Sequence, residues 1–266
     1  MQAQFILTGL LVGLLIGLTG MGGGSLMTPI LVLLLGVKPT IAVGTDLAYA
    51  SLTKGVGAIQ HLRQTHIKVW TSVRLSIGSV PASLLGVGLI ARLKHTQGVD
   101  VDQIISHMLG GVLILVAVAL IVQPIIRTRL WPEDRPVVFF KRLEALRKFR
   151  TFILIGIGVV VGFLVGMTSV GGGSIVMIAL LLVYPRWQMN RRVGTDVLQG
   201  FFLSTAAAAA HWQIGDVNFP IVGQLLIGSI PGVLIGSRLT KIIPESILRP
   251  AVASVIAFSA WRLLVL

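Results

Sequence analysis

The chain has 266 residues, of which 55% are hydrophobic and 12% are charged. Soluble domains carry about 25% charged residues, so this composition excludes a cytosolic enzyme, a disordered tail and a secreted disulfide scaffold, and it indicates a polytopic membrane protein. The net charge of +13 lies mostly between apolar runs, where basic residues orient a chain across the membrane, and it does not indicate nucleic acid binding. The sequence has no cysteine, which excludes disulfides, thiolate metal sites and thiol catalysis.

Ten apolar runs predict an all-α integral membrane protein. They lie at about residues 5–20, 25–36, 41–60, 71–91, 104–126, 152–167, 174–184, 193–210, 219–238 and 247–264. A full span needs about 20 apolar residues, so the first and second runs are short, as are the sixth and seventh. A glycine cluster joins each short pair, Gly22-Gly23-Gly24-Ser25 in one and Gly171-Gly172-Gly173-Ser174 in the other. We therefore predict, in each half, a Gly-broken re-entrant-type helix pair plus three full transmembrane helices.

The two clusters belong to an internal repeat. Val43-Gly44-Thr45-Asp46 recurs 150 positions later as Val193-Gly194-Thr195-Asp196, and Ile77-Gly78-Ser79-Val80-Pro81 recurs as Ile227-Gly228-Ser229-Ile230-Pro231. His61 recurs as His211, and both are expected to end helices at the membrane interface. The common register predicts two structural repeats, at residues 1–126 and 151–266, joined by a basic linker at 127–150.

Positive charge predicts how the repeats are oriented. The linker 127–150 holds eight Lys or Arg residues, and short basic loops stay in the cytoplasm. If each broken pair enters the membrane and returns, 16 basic residues lie in cytoplasmic loops and 3 lie outside. If each pair instead forms one broken span, each half crosses the membrane four times, and 10 basic residues lie inside and 9 outside. The first arrangement is favoured. It predicts two inverted-topology repeats in the bacterial inner membrane, with both termini on the periplasmic side.

Glycine-broken hairpins at corresponding positions of inverted repeats are typical of a transporter binding site. Irregular backbone at membrane depth is tolerated where protein or water covers it, and a helix that begins there presents free amides and a positive dipole end to an anion. We predict that the two tips meet near the midplane and that Gly22, Gly23, Gly24 and Ser25 bind substrate together with Gly171, Gly172, Gly173 and Ser174. The turns are expected to need glycine at Gly23 and Gly172. Close helix packing is the alternative role, and a phosphate loop is excluded because no Lys follows either cluster.

Asp46 and Asp196 lie inside apolar runs at equivalent positions of the repeat. Ionisable groups at membrane depth are usually functional, so we predict that they couple transport to protons or order the glycine tips by hydrogen bonding; an interfacial helix cap is the alternative. Lys54, eight residues after Asp46, is a candidate for an ion pair or an anion contact. Further polar candidates for lining the substrate path are Thr45, Thr195, Tyr49 and Gln199.

The Gly-rich repeat, the Val-Gly-Thr-Asp motif and the segment Gly-Ser-Ile-Pro-Gly-Val-Leu-Ile-Gly-Ser-Arg-Leu at 228–239 resemble the sulfite exporter TauE/SafE family over almost the whole chain. The resemblance implies an inner-membrane carrier of small, often sulfur-containing anions such as sulfite and organosulfonates. Many members carry Thr-Ser where this chain has Thr45-Asp46 and Thr195-Asp196, a departure that bears on the substrate.

We therefore expect a secondary transporter that moves a small anion (sulfite, an organosulfonate or a related carboxylate) by alternating access, and not an enzyme. The expected partners are this anion and the lipid bilayer, without nucleic acid, and a homo-oligomer is left open. The residues imply no cofactor and no metal. The alternatives are a passive anion channel and an intramembrane aspartyl hydrolase that uses Asp46 and Asp196 as a dyad.

Overall fold

The computed structural model describes residues 2–19, 25–63, 67–130, 149–185, 187–239 and 245–265. These residues form ten α-helices and no strand, which confirms the all-helical prediction. The helices are α1 Gln2–Thr19, α2 Met27–Leu33, α3 Pro39–Arg63, α4 Val69–Lys94, α5 Val101–Leu130, α6 Arg150–Thr168, α7 Gly172–Val183, α8 Met189–Gln213, α9 Phe219–Leu239 and α10 Glu245–Val265. Gly22, Gly23 and Gly24 of the predicted site lie outside the described residues, as does 131–148 of the predicted linker.

Within the described ranges, four helices are long and apolar enough to cross a membrane, namely α4, most of α5, α6 and α9. Shorter apolar segments in α1, α7 and α10 accompany them. The helices α3 and α8 have 25 residues each, enough for about 37 Å, but their polar side chains lower their hydropathy. The chain is therefore a multi-pass membrane protein.

One length prediction needs correction. The apolar run 152–167 was expected to be too short for a span, but α6 begins at Arg150, ends at Thr168 and has 19 residues. The run underestimates the helix because helical hydrogen bonding continues into the polar residues at both ends. The second members of the broken pairs are short, with seven residues in α2 and 12 in α7.

The most extensive helix interfaces join one half of the chain to the other. The helix α1 packs on α9 and α6 packs on α4, while α3 packs on α8 and α5 on α10. Thus the first helix of each half packs on the fourth helix of the other half. The buried apolar side chains follow this pattern, because each of the two core clusters contains one broken pair together with the fourth helix of the opposite half.

Glycine allows these partner helices to approach until their backbones touch. Residues 9–17 of α1 face residues 225–233 of α9 in the same order, so the two helices are parallel. The helix α6 approaches α4 in the same way, and a Cβ placed on Gly162 would overlap the carbonyl oxygen of Ser79. Small residues at such interfaces let membrane helices gain van der Waals contact where no hydrophobic effect acts between them.

The helices that carry Asp46 and Asp196, α3 and α8, run antiparallel. The Thr205 hydroxyl donates to Ser51 Oγ at 3.3 Å, whereas Gly57, further along α3, faces Val197, which lies earlier in α8. These helices are equivalents in the two halves of the repeat. Their contact therefore brings the two Val-Gly-Thr-Asp helices side by side in opposite directions.

Candidate functional site

The carboxylate of Asp46 joins the broken helix pairs of both halves. Its Oδ2 accepts a hydrogen bond from the Thr28 hydroxyl on α2 at 2.5 Å and another from the Ser169 hydroxyl, just after α6, at 2.9 Å. Asp46 is fully buried, and Oδ1 has no hydrogen-bond partner among the described residues. Hydrogen bonds to an ionised carboxylate are stronger than neutral ones. Asp46 therefore fixes one segment from each half at a single point.

The chain breaks between α6 and α7 at two residues with left-handed backbone. The φ angle is +62° at Ser169 and +92° at Gly171. Glycine adopts such angles without steric cost, whereas Ser169 carries strain that its hydrogen bond to Asp46 offsets. The prediction that the turn needs glycine at Gly172 is wrong, because Gly172 is already in α7 and the positive φ falls one residue earlier.

The helix α7 begins beside the second intramembrane acid. Its N-cap is Gly171, and no side chain caps the first amides of the helix. A Cβ placed on Gly173 would lie 3.2 Å from Asp196 Oδ2, and Asp196 is buried. A carboxylate beside the positive end of a helix dipole is favourable. The structure thus brings two predicted site residues, Gly173 and Asp196, together; Ser174 and its first-half equivalent, Ser25, are half-buried near the starts of α7 and α2.

The two acids are equivalent in the repeat but not in their surroundings. The residues that donate to Asp46, Thr28 and Ser169, have Met177 and Gly20 at the corresponding positions of the other half. Neither of these has a hydroxyl group. The repeat pattern therefore could not predict the hydrogen bonds of Asp46.

Lys54 is the positive group that the two acids share. It interacts electrostatically with both Asp46 and Asp196. Its Nζ lies 2.8 Å from the position of a Cβ on Gly200, one turn after Asp196 on α8. The side chain thus reaches from α3 to α8. Ser204 occupies the equivalent position of the second half, so the second half has no lysine that corresponds to Lys54.

The two predicted threonines hold the starts of helices from the opposite half. Thr45 Oγ1 accepts the Asn218 amide at 3.1 Å, and Thr195 Oγ1 accepts the Lys68 amide at 3.2 Å. Both threonines are fully buried. The first amides of a helix have no partner within it, so each bond stabilises the start of α9 or α4. Substrate binding by Thr45 and Thr195 stays a prediction.

Tyr49 and Gln199 occupy equivalent positions and contact equivalent serines. The Gln199 amide donates to Ser79 Oγ at 2.9 Å, whereas the Tyr49 hydroxyl faces Ser229 and has no hydrogen-bond partner among the described residues. Both side chains are buried, and Gln199 Oε1 has no hydrogen-bond partner in the described part of the chain. Buried acceptors are normally satisfied, so this oxygen is a free acceptor next to the candidate site.

A further polar cluster, which the sequence did not predict, lies where α8 ends. Lys94 pairs with Asp216 Oδ1, His211 Nδ1 lies 3.4 Å from Asp216 Oδ2, and His211 Nε2 lies 2.9 Å from the Gly166 carbonyl oxygen. His211 lies in the last turn of α8, as expected for a residue that ends its helix, and its side chain is fully buried against α6. Its position at the membrane interface stays a prediction. The repeat of His61 as His211 was the feature of the sequence that pointed to this cluster. Asp216 could not be found from the repeat, because its equivalent in the first half is His66.

Electrostatics in this cluster keep Asp216 ionised. Burial acts to raise the pKa of the Asp216 carboxyl, but His211 and Lys94 outweigh burial and hold the pKa below its ordinary value. No group of three or more acidic or histidine side chains within the described ranges is arranged to hold a metal ion. A cavity of about 590 Å³ between α5, α6 and α7 is lined by apolar side chains such as Leu115, Ile157 and Ile175, and it offers an anion no hydrogen-bond donor.

Comparison with known proteins places these features in a wider group. The model of the family described as sulfite exporter TauE/SafE matches residues 5–263. Probable membrane transporter protein YjnA of Bacillus subtilis strain 168 is 40% identical over 264 residues, covering 99% of this chain and 100% of that protein. Probable membrane transporter protein YdhB of the same organism is 25% identical over 93% of this chain and 94% of its own length. Probable membrane transporter protein MJ0441 of Methanocaldococcus jannaschii is 26% identical over 94% of this chain and 91% of its own length. No solved structure matches the chain significantly.

Proposed function

Because the chain belongs to the sulfite exporter TauE/SafE family of membrane transporters, we propose that it carries a small anion across the bacterial cytoplasmic membrane by alternating access. Sulfite, an organosulfonate or a related carboxylate is the proposed substrate, and the anion and the bilayer are the proposed partners. The observation that carries the proposal is the convergence of Thr28 and Ser169, one from each broken pair, on the carboxylate of Asp46.

The proposed architecture is a pair of repeats with inverted topology. Its support is the antiparallel contact of α3 with α8, because equivalent helices that cross one membrane in opposite directions belong to oppositely oriented halves. The positive charge of the linker at 127–150 supports a cytoplasmic position for it and periplasmic termini. In this arrangement the broken pairs approach the shared site from opposite faces, which suits alternating access.

In the proposed mechanism Asp46 acts as an internal anion. Its carboxylate occupies two hydroxyl donors, those of Thr28 and Ser169, that a substrate anion would use. A proton on Asp46 removes the negative charge and weakens both hydrogen bonds, since charge-assisted bonds are about twice as strong as neutral ones. The donors then become available to substrate. Proton binding and anion binding thereby favour each other.

Charge balance supports the same coupling. Two acids and one lysine, Asp46, Asp196 and Lys54, carry a formal charge of −1 when all are ionised. An anion that entered this buried region would add a second uncompensated charge, which is costly away from water. One proton on either carboxyl returns the total to −1, the value without the anion. We therefore propose that anion and proton cross together, with Asp46 and Asp196 as the coupling residues.

An aspartyl hydrolase has less support than a carrier. A dyad that shares a proton brings two carboxyl groups into hydrogen-bonding contact. Among the described residues no hydrogen bond joins Asp46 to Asp196, and Oδ2 of Asp46 bonds hydroxyl groups instead. The chain is accordingly proposed to transport its ligand without cleaving it.

Flux in proteoliposomes tests the proposal. Wild-type protein should show saturable uptake of labelled sulfite or taurine, counterflow against unlabelled substrate, and stimulation by an inward proton gradient. Asp46→Asn should abolish the stimulation, whereas Ser204→Ala, which loses a hydroxyl that bonds the carbonyl of Gly200 in its own helix, should behave as wild type. Uptake without counterflow would show a channel. Wild-type rate and pH profile in both Asp46→Asn and Asp196→Asn would overturn the coupling.

A further inference from the structure

The imidazole of His211 is buried between two groups that accept hydrogen bonds and cannot donate them. Nε2 lies 2.9 Å from the Gly166 carbonyl oxygen, and Nδ1 lies 3.4 Å from Asp216 Oδ2. A neutral imidazole has one N–H, so it satisfies one of these acceptors and turns a lone pair towards the other. A protonated imidazole has two N–H groups and satisfies both. The surroundings of His211 therefore match its charged form.

The carbonyl that His211 contacts lies close to the candidate site. Gly166 is in the last turn of α6, three residues before Ser169, which donates to Asp46. The α6–α7 break follows at once, at residues with left-handed φ. A hydrogen bond that holds the last turn of α6 against α8 thus helps to position the Ser169 hydroxyl on Asp46.

We propose that His211 is a proton-dependent positioning residue for the Asp46 site. In its protonated form it ties the end of α6 to Asp216 and Lys94 and keeps Ser169 on Asp46. Loss of the proton leaves the remaining N–H on the Asp216 carboxylate, the stronger acceptor, and turns a lone pair towards the Gly166 carbonyl oxygen, which releases the end of α6. This inference rests on the proposed function for its effect on transport. In the proposed topology the cluster lies on the periplasmic side, so external pH is the variable that tests it.

The charged groups around His211 are few. Asp216 faces it from the α8–α9 connection, and Lys94 at the end of α4 faces Asp216 from the other side. The helix α6 contributes the Gly166 carbonyl, and α3 contributes Gly44, which packs on the Asp216 backbone. Because Lys94 and His211 hold the pKa of Asp216 below its ordinary value, the carboxylate stays available as an acceptor for the imidazole.

Uptake measured against external pH tests this role with a matched control. His211→Gln keeps a donor of similar size but cannot carry charge, and it should remove the part of the pH profile that falls between about pH 5 and 8. His61→Gln changes the equivalent residue of the first half and should keep the wild-type profile. An unchanged profile in His211→Gln, with saturable uptake intact, would overturn the inference while leaving the proposed function standing.

Accessibility of a single cysteine tests the same inference without substrate. The natural sequence has no cysteine, so Val170→Cys places one thiol at a fully buried position between α6 and α7. The maleimide labelling rate of this protein is divided by the rate of a Val170→Cys/His211→Gln protein. The ratio of the two rates cancels the intrinsic pH dependence of the thiol. We expect this ratio to rise by at least about fivefold from pH 5.5 to 8, the lower end of ordinary coupling strengths. A constant ratio would refute release of the α6 end, whether or not the protein transports the anion.

Discussion

At the scale of single residues, the candidate site depends on what each carboxylate accepts. Asp46 holds hydroxyl groups from both broken pairs, whereas Asp196 lies at the start of α7 and shares Lys54. One sequence motif therefore has two environments. The sequence predicts both acids from their position in apolar runs, but the donors of Asp46 come from residues 18 and 123 positions away and have no equivalents in the repeat.

Removal of either donor to Asp46 should destabilise the protein. Thr28→Val and Ser169→Ala should each lower the free energy of unfolding by about 1–3 kcal/mol, because a buried carboxylate loses one of two partners. Thermal unfolding in detergent micelles measures the change. The control Ser204→Ala, with an intrahelical hydroxyl, should stay within about 0.5 kcal/mol of wild type. In an Asp46→Asn background the two losses should shrink; full-sized losses there would mean that the hydroxyls act elsewhere.

The pairing of Asp216 should appear in the pH dependence of stability. Its pKa is below the ordinary value, so its contribution is present above about pH 4 and is lost as the pH falls through the lowered pKa. Asp216→Asn should therefore cost about 1–3 kcal/mol near pH 7 and less at pH 3. Melting temperatures of the two proteins across this range give the difference. A difference that does not depend on pH would contradict an ionic role for Asp216.

At the scale of helices, glycine has two separate uses, close packing in α1, α4, α6 and α9 and a backbone turn at Gly171, before α7. Most of the helix glycines lie where the backbones of two helices touch. Close packing of this kind is the alternative role that the sequence left open for the glycine clusters. Gly171 differs, because its positive φ ends one helix and allows the next to begin. The apolar runs of the sequence predict the helix positions well, because each run corresponds to one helix. They do not distinguish these uses of glycine, because only the neighbouring helix decides whether a Cβ has room.

Two glycines in α6 provide a test of this packing. Gly162→Ala should destabilise the protein by about 1–3 kcal/mol, since the added Cβ overlaps the Ser79 backbone of α4. Gly156→Ala should be neutral or slightly stabilising, because nothing lies within 4 Å of its Cβ and alanine favours helix. Thermal unfolding followed by size-exclusion chromatography compares them. Equal stability of the two variants would show that α4 and α6 separate in the membrane.

At the scale of the whole molecule, the two halves are held together because each packs against helices of the other. Each broken pair is buried against the fourth helix of the opposite half, so neither half has a complete core of its own. In the proposed alternating-access mechanism, movement of one half would therefore displace the broken pair of the other. Such reciprocal packing suits a carrier whose two faces open in turn.

Single cysteines test the proposed orientation in intact cells. Gln97→Cys, in the exposed α4–α5 connection, should react with a membrane-impermeant maleimide applied outside. Arg238→Cys, at the exposed end of α9, should react only after the cells are opened. The prediction follows from the positive-inside rule, and the cysteine-free sequence supplies the background. Labelling of both positions from outside, or of Arg238→Cys alone, would contradict the proposed topology.

The sequence by itself determined the helical membrane class, the family resemblance, the repeat and the two intramembrane acids. These properties depend on composition, periodicity and self-similarity, each of which can be read along the chain. Only the tertiary structure decided that Ser169 and Thr28 meet on Asp46, that Gly171 makes the turn, and that His211 is buried beside Asp216. The contacts of Asp46 join residues 18 and 123 positions apart, and the repeat does not predict them because Thr28 and Ser169 have Met177 and Gly20 as their equivalents. The turn at Gly171 depends on its backbone angle, which the order of residues along the chain does not show.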